Sequence, residues 1–364
     1  MGTPRAIAKA ACRGPCCAAL ALIAGLLAIS AARADGIEEF YKGRRMEMVI
    51  HVQPGGSYDL YARMVARHLP RHIPGAPVIT AQNMPGGGGL RAIGYVANAP
   101  KDGTTLTIVS LGLPMYQALG ILGDQLRIDL RDLGWLGNLS DSNPVLTTWH
   151  SSKVKTLADA KREVAYLGTS GAGSIAAQMP AIYNNMLGTK FKVLFGYGGE
   201  SDTAIAIERG ELDGRPTNTW ASYKATLPQW VKEKKLNYII QVGLKKEAEL
   251  PDVPLLLDQA TDDESRQVFL FLSNVVAIAR PVAVSPGTPP ERLAALRRAF
   301  DAMVKDPVLL SEAEKMGAEI GPMPGDQVAR IIAGIMSTPA PLLAKVRQAM
   351  ELRKEDQGER PARK

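Results

Sequence analysis

The sequence predicts an α/β protein of two domains that close as a hinged clamp, each domain a mixed, mostly parallel sheet flanked by helices. Three observations carry that expectation. Strand-like and helix-like stretches alternate along most of the 364 residues, the pattern of sheets covered by helices. Glycine-rich turns recur where a strand runs into a helix, in both halves of the chain. Two extended stretches, one around Asn143–His150 and one at Val268–Val284, are placed to carry the chain from one domain to the other and back.

Residues 1–34 stand apart as an export leader. Arg5, Lys9 and Arg13 form a basic start, Cys17–Ser30 an apolar core, and Ala32-Arg33-Ala34 a cleavage site. The apolar run falls short of the roughly 20 residues that a membrane span needs. Cleavage after Ala34 and a periplasmic destination are the expectation. The formal charge of +7 then falls to +3, because the leader holds four basic residues (Arg5, Lys9, Arg13, Arg33) and no acidic one. With basic residues scattered among acidic ones, that balance gives no reason to expect nucleic acid. Cys12, Cys16 and Cys17 also lie in the leader, so ordinary cores and not disulfides hold the mature chain. At 46% hydrophobic and 22% charged residues it has the composition of a globular protein.

In the first domain (35–145 and 275–355), Met46–Val52, Val78–Gln82 and Thr105–Ser110 read as strands, with helices over Tyr58–Leu69 and Leu90–Ala97 between them. The first strand ends in Pro54-Gly55-Gly56-Ser57-Tyr58-Asp59 and the second in Pro85-Gly86-Gly87-Gly88-Gly89. Glycine lets the backbone turn and lets a ligand approach the N–H groups. The following helix adds unpaired amides and the positive end of its dipole, which favour an anion. Ser57 reads as the N-cap of its helix with Asp59 in the first turn. Capping alone explains both side chains, and so does a carboxylate held by amides 56–58 and the Ser57 hydroxyl. The Pro85–Gly89 turn reads as a device for packing its helix close to the sheet.

In the second domain (146–274) the device recurs. Strand Val164–Gly168 runs through Thr169-Ser170-Gly171-Ala172-Gly173-Ser174 into a helix to Leu187. Strand Phe191–Phe195 runs through Gly196-Tyr197-Gly198-Gly199-Glu200-Ser201 into helix Asp202–Arg209. Asp213–Trp220 leaves a short strand and enters a helix, which places Arg215, Thr217 and Asn218 near the cleft. Arg215 fits either a ligand carboxylate or a surface pairing with Glu211 or Asp213. The last part of the first domain reads as helical, and residues 356–364 as a charged disordered tail.

Several enzyme motifs match and fail. Gly171-Ala172-Gly173-Ser174-Ile175-Ala176 has the dinucleotide-binding spacing, but Val193-Leu194-Phe195 offers no acidic residue on the next strand. Gly168–Ala172 resembles a loosened nucleophile elbow, yet no histidine follows His150. Ser152–Lys155 fits a serine–lysine motif only by chance. His68 and His72 straddle Pro70, and with His51 and His150 they form no metal-ligand set. No cofactor is expected, and no enzyme.

Taken in order, these segments resemble one family, the extracytoplasmic solute receptors of tripartite tricarboxylate transporters (the Bug or TctC receptors). The resemblance rests on Pro54-Gly55-Gly56-Ser57-x-Asp59 with Ala62-Arg63, Asn83-x-Pro85-Gly86-Gly87-Gly88-Gly89, and Ala99-Pro100-x-Asp102-Gly103-x-Thr105-Leu106. Tyr197-Gly198-Gly199, Gly210-Glu211-Leu212-Asp213, Leu250-Pro251-Asp252-Val253-Pro254 and Pro286-Gly287-Thr288-Pro289 continue it, so that it runs from about Tyr41 to Met350. It implies the type II periplasmic-binding-protein clamp and a small organic acid bound in the cleft with ordered water. It also implies a membrane permease of the tripartite type as partner. Carried over by position, Gly55, Gly56, Ser57 and Asp59 face Gly171, Gly173 and Ser174, with Asp59 either orienting its loop or accepting from a ligand amine or amide. Tyr58, Thr169, Ser170, Tyr197, Arg215, Thr217 and Asn218 complete the expected site. The acidic Glu200-Ser201-Asp202 and the polar Asp213–Trp220 strand depart from the family pattern, so the second domain's half of the pocket does not transfer. A monomer is expected. Presentation of the solute to a sensor protein, and an exported enzyme on the same fold, are the alternative readings.

Overall fold

The computed structural model describes residues 36–169, 171 and 174–358. The expected leader with its three cysteines and cleavage site, the site residues Ser170 and Gly173, and tail residues 359–364 lie outside the described residues. Two mixed sheets flanked by helices build an α/β clamp. Among the described residues sheet A has six strands and sheet B five.

In sheet A, β1 (Arg45–Ile50) lies parallel between β2 (Val78–Asn83) and β3 (Thr105–Ile108). β10 (Pro281–Val284) joins β3 antiparallel, β4 (Gly134–Asn138) joins β10, and β11 (Met323–Pro324) closes the edge on β4. Side chains of a strand alternate between faces. Met46, Met48 and Ile50 of β1 accordingly enter one core with Tyr61, Val65 and Phe300, while Val49 enters a second with Ile93, Trp135 and Ile332. A sheet buried on both faces needs helices on both. Helices α1 (Ser57–His68) and α2 (Leu90–Ala97) follow β1 and β2, and short α3 (Gly112–Ala118) follows β3.

In sheet B, β6 (Ala165–Gly168) is parallel to β7 (Phe191–Leu194) and to β8 (Gly214–Thr219). β5 (Pro144–Trp149), the expected crossing segment, runs antiparallel between β8 and β9 (Leu236–Gln241). Each sheet therefore holds two parallel pairings, and the strands beside the crossings supply the antiparallel ones. Short α4 (Leu157–Ala160) precedes β6, α5 (Ile175–Leu187) and α6 (Glu200–Glu208) follow β6 and β7, and α7 (Trp220–Thr226) and α8 (Pro228–Lys232) follow β8.

The extended reading of Val268–Val284 is overturned for most of its length. Residues Asp263–Val276 form helix α9, and only β10 is a strand. Asp262 starts the helix with a capping box, its Oδ1 accepting from the Ser265 N–H at 2.7 Å. Val268, Phe269, Leu272, Val275 and Val276 then fall on one buried face. The β-branched and aromatic residues that look strand-like are packing a helix, because the cap and the spacing decide.

Two boundaries also differ from expectation. After α10 (Pro290–Met303), α11 (Pro307–Lys315) and α12 (Gly325–Met336), the last helix α13 (Ala340–Ala349) packs with sheet B. Its Leu343, Val346 and Ala349 share a core with Ile182, Val268 and Leu272. The tail expected from 356 is packed at its start. Asp356 is buried against Arg353 (2.8 Å), and Gln357 bridges to Val193 of β7. Arg353–Asp356 pairing and the open edge of β7 order these residues, which composition alone reads as solvated.

Gly89 shows what the second glycine turn does. Its φ is +107°, and a Cβ there would lie 3.2 Å from the Ser110 Cβ and 3.3 Å from the Leu113 Cδ1. Glycine lets the start of α2 sit close to the chain following β3.

Candidate anion-binding cleft

The first turn is shaped from behind by Asp59. Its carboxylate accepts from the Gly55 N–H (3.1 Å), the Arg63 Nε (2.9 Å) and the Asn83 Nδ2 (2.8 Å). Burial alone would raise its pKa, but the bonds from Arg63, Asn83 and Gly55 outweigh burial and hold it below the ordinary value. Gly55, at φ +91°, makes the turn that brings its N–H to that carboxylate. Asp59 is thus fully engaged in orienting the loop.

Ser57 is not the N-cap. Gly56 takes that position with extended geometry (φ −91°, ψ 172°), and Ser57 is the first helical residue. Its polar groups are therefore directed across the cleft. The Ser57 N–H donates to Glu200 Oε2 at 3.1 Å and the hydroxyl to Oε1 at 3.0 Å. Glu200 opens α6, in the second unit, so a carboxylate of the protein sits in the cradle that the first turn forms.

Behind Ser57 stands Arg280, just before β10 and 2% exposed. Its Nη2 donates to the hydroxyls of Ser57 (2.8 Å), Thr219 (3.2 Å) and Ser222 (2.5 Å), and its Nη1 to the Ala279 carbonyl (2.8 Å). The guanidinium lies 4.1 Å over the Tyr58 ring, a cation–π contact strengthened by burial. Thr219 ends β8 and caps α7, so one arginine ties the first turn to the second unit. Tyr58 packs its ring edge-on against His51 at 4.4 Å. His51 Nδ1–H donates to the Ile108 carbonyl at 3.0 Å. Burial, with Arg280 nearby, pushes the His51 pKa down to about 4, so the ring is neutral near pH 7.

Arg215 is buried on β8 rather than paired at the surface. Its Nη2 donates to the Glu200 carbonyl, and its guanidinium lies 5.6 Å over the Trp230 ring. A bulge sets it: Val145 and Thr147 of β5 oppose Asn218 and Arg215 of β8, so one extra residue on β8 brings Arg215 and Asn218 to the same face. Arg215 Nε and Nη1, Arg280 Nε, Asn218 Nδ2 and Trp220 Nε1 are all buried without a hydrogen-bond partner. No described carboxylate lies within the 4.0 Å ion-pair distance of either guanidinium. Two buried cations without a direct ion pair and with spare N–H groups are costly for a fold.

The other glycine turn is self-contained. Ser174 is at the N-cap position of α5, but its hydroxyl donates to the Gly171 carbonyl (2.8 Å) and meets the Thr169 hydroxyl (2.5 Å). Tyr197 packs against Gly168, where a Cβ would lie 3.1 Å from its Cδ2. Thr217 is half-buried on β8. The structure brings Gly56, Ser57, Tyr58 and Arg215 together around Glu200 and Arg280, with Gly55 and Asp59 behind them. Residues Thr169, Gly171 and Ser174 are bonded among themselves. Sequence reasoning missed Arg280, Thr219 and Ser222 and noted Glu200 only as an oddity. The available signal for Arg280 is a lone charge ending an apolar run, Val275-Val276-Ala277-Ile278-Ala279. Among the described residues there is no cluster of three or more metal-ligating side chains and no helix long and apolar enough to cross a membrane.

The fold is the two-unit α/β clamp also seen in periplasmic binding proteins. The sequence profile described as the tripartite tricarboxylate transporter family receptor matches residues 61–347, and the chain belongs to that family. It is 25% identical over 323 residues to a UPF0065 protein of Agrobacterium vitis, covering 86% of this chain and 84% of that one. The periplasmic binding protein BugD shares the fold with a TM-score of 0.67 at 16% identity, over 85% of this chain and 98% of the other. MatC from Rhodopseudomonas palustris, solved with bound malate, superposes with a TM-score of 0.62 at 18% identity, over 83% and 99% of the two chains.

Proposed function

We propose that this protein is a periplasmic solute receptor, exported with cleavage after Ala34. It captures a small carboxylate-bearing molecule in the cleft and delivers it to the membrane permease of a tripartite transporter. The observation that carries this reading is the pair of buried guanidinium groups with unpartnered N–H groups, Arg280 bonded to Ser57 on one side and to Thr219 and Ser222 on the other, and Arg215 bonded to the Glu200 carbonyl. A ligand carboxylate supplies both the missing charge and the missing acceptors. Ser57 supports the same chemistry, because its N–H and hydroxyl hold the Glu200 carboxylate in two-point fashion. MatC, which shares the fold, is solved with malate, itself a carboxylate. Closure is a population shift, since a ligand bridging both units binds the closed form better than the open one. The protein acts as a monomer and without turnover.

A thermal-shift screen of the exported protein against mono-, di- and tricarboxylates, amino acids and amides tests the proposal, with calorimetry on the hits. Stabilisation by at least one carboxylate class is the expected result. No shift across the panel overturns it.

A further inference from the structure

Resting on the carboxylate-receptor reading, we propose that Glu200 sets specificity as a resident carboxylate of the site, so that the ligand is a monoanion and second carboxylates are rejected. The charge count at the cleft leads there. Arg215 and Arg280 bring two positive charges, both nearly fully buried. Glu200 brings one negative charge, held on the Ser57 N–H and hydroxyl and bonded through its own carbonyl to Arg215. Asp59 and Arg63 cancel each other at 2.9 Å. Farther charges are part-exposed and screened by water: Lys224 with Glu249 and Glu319, and Glu247, which accepts from Ser142 and the Asn143 N–H. Counting Arg215, Arg280 and Glu200 alone, one positive charge remains for the ligand to balance.

Geometry agrees with the count. The unpartnered donors are Arg215 Nε and Nη1, Asn218 Nδ2, Trp220 Nε1 and Arg280 Nε, whereas the Ser57 N–H and hydroxyl are already taken by the two Glu200 oxygens. A ligand's one carboxylate belongs with these donors. A second carboxylate on the same small molecule would have to displace Glu200 or lie beside it, and two carboxylates at close range in a buried site repel strongly.

The test is calorimetry on the exported protein with matched pairs, butanoate against succinate and hexanoate against adipate, repeated on Glu200→Gln and Glu200→Ala. The wild type should bind the monocarboxylate of the preferred length at least about tenfold more tightly than its dicarboxylate partner. Glu200→Gln should shift that ratio by about tenfold or more towards the dicarboxylate. Three outcomes overturn the inference: a wild-type preference for dicarboxylates, an unshifted ratio in both variants, or an equal gain for both ligand types. The last would make Glu200 a displaceable plug on the cradle and leave the receptor reading standing. If neither wild type nor variants bind any carboxylate, the receptor reading itself falls and this inference with it.

Discussion

Two glycine turns, each lifting a serine at the start of a helix, look alike in sequence and behave differently in the fold. Around Ser57 the amide and hydroxyl reach across to Glu200, and Arg280 joins that node to Thr219 and Ser222. Around Ser174 the hydroxyl is spent inside its own loop, on Gly171 and Thr169. A symmetrical clamp, with one serine cradle from each unit, is therefore not what the residues build. The second unit answers the first turn with the start of α6 and with β8 and α7, and its uncompensated donors lie there. The difference teaches that a helix start becomes a cleft element only when its cap leaves the polar groups unused. At the first turn Gly56 takes the capping position and frees Ser57.

The largest expected effect lies at the cross-cleft arginine. Arg280→Met removes the charge and the bonds to Ser57, Thr219 and Ser222 while keeping most of the volume. Ligand affinity should drop by about 100-fold or more, in line with truncating a buried, hydrogen-bonded charge. Arg280→Lys, which keeps the charge but not the planar fork, should fall between. Calorimetry on variants shown by circular dichroism to be folded decides the matter. An Arg280→Met protein that binds as tightly as wild type would place the ligand elsewhere and dissolve the contrast between the turns.

Acid provides a second way to separate the two turns. The first rests on His51, whose ring packs on Tyr58 and is buried neutral with its pKa pushed down to about 4; no histidine lies in the Ser174 turn. The unfolded chain takes up the His51 proton below about pH 6.5 and the folded chain only below about 4. Stability from this group is thus present above pH 6.5 and lost as pH falls towards 4. By pH 5 the loss amounts to about 2 kcal/mol. Urea unfolding at pH 8, 6.5 and 5 should show that slope, and His51→Asn, which retains a donor for the Ile108 carbonyl, should flatten it. The same slope in wild type and variant would assign the acid sensitivity to other groups. Asp59 does not share this window, because a carboxylate held below its ordinary value loses its contribution only below about pH 4.

What could be read in advance follows from sequence separation. The alternation of strands and helices, the Pro54–Asp59 turn and the family resemblance are carried by contiguous residues, and each was legible. The cleft node joins groups 143 residues apart at Ser57–Glu200 and 223 apart at Ser57–Arg280, and no local pattern marks either pairing. The sequence puts Arg215 near the cleft, but its burial depends on a β-bulge visible only in the register of β5 and β8. Helix α9 reads as extended for another reason. Phe269, Phe271, Val275 and Val276 favour strands locally, while the Asp262–Ser265 capping box and the four-residue spacing of Val268, Leu272 and Val276 pointed to a helix.

The smallest expected effect is the sharpest on the two turns, because it changes one atom at each. Ser57→Ala removes the hydroxyl that accepts from Arg280 and donates to Glu200, leaving the Ser57 N–H as the one hydrogen bond to that carboxylate among the described residues. Both charged partners lose one bond and part of their orientation, so ligand affinity should weaken by about 1 kcal/mol, or five- to tenfold. Ser174→Ala removes a hydroxyl whose partners among the described residues are Gly171 and Thr169. Its cost should be in loop stability, about 0.5–1 kcal/mol, with ligand affinity changed less than about twofold. Side-by-side calorimetry and thermal melts read both quantities. Equal affinity losses would restore the symmetrical clamp, with a ligand gripped by both serine turns. A Ser57→Ala loss confined to affinity and a Ser174→Ala loss confined to stability would fix the first turn, with α6, β8 and α7 opposite, as the working half of the cleft.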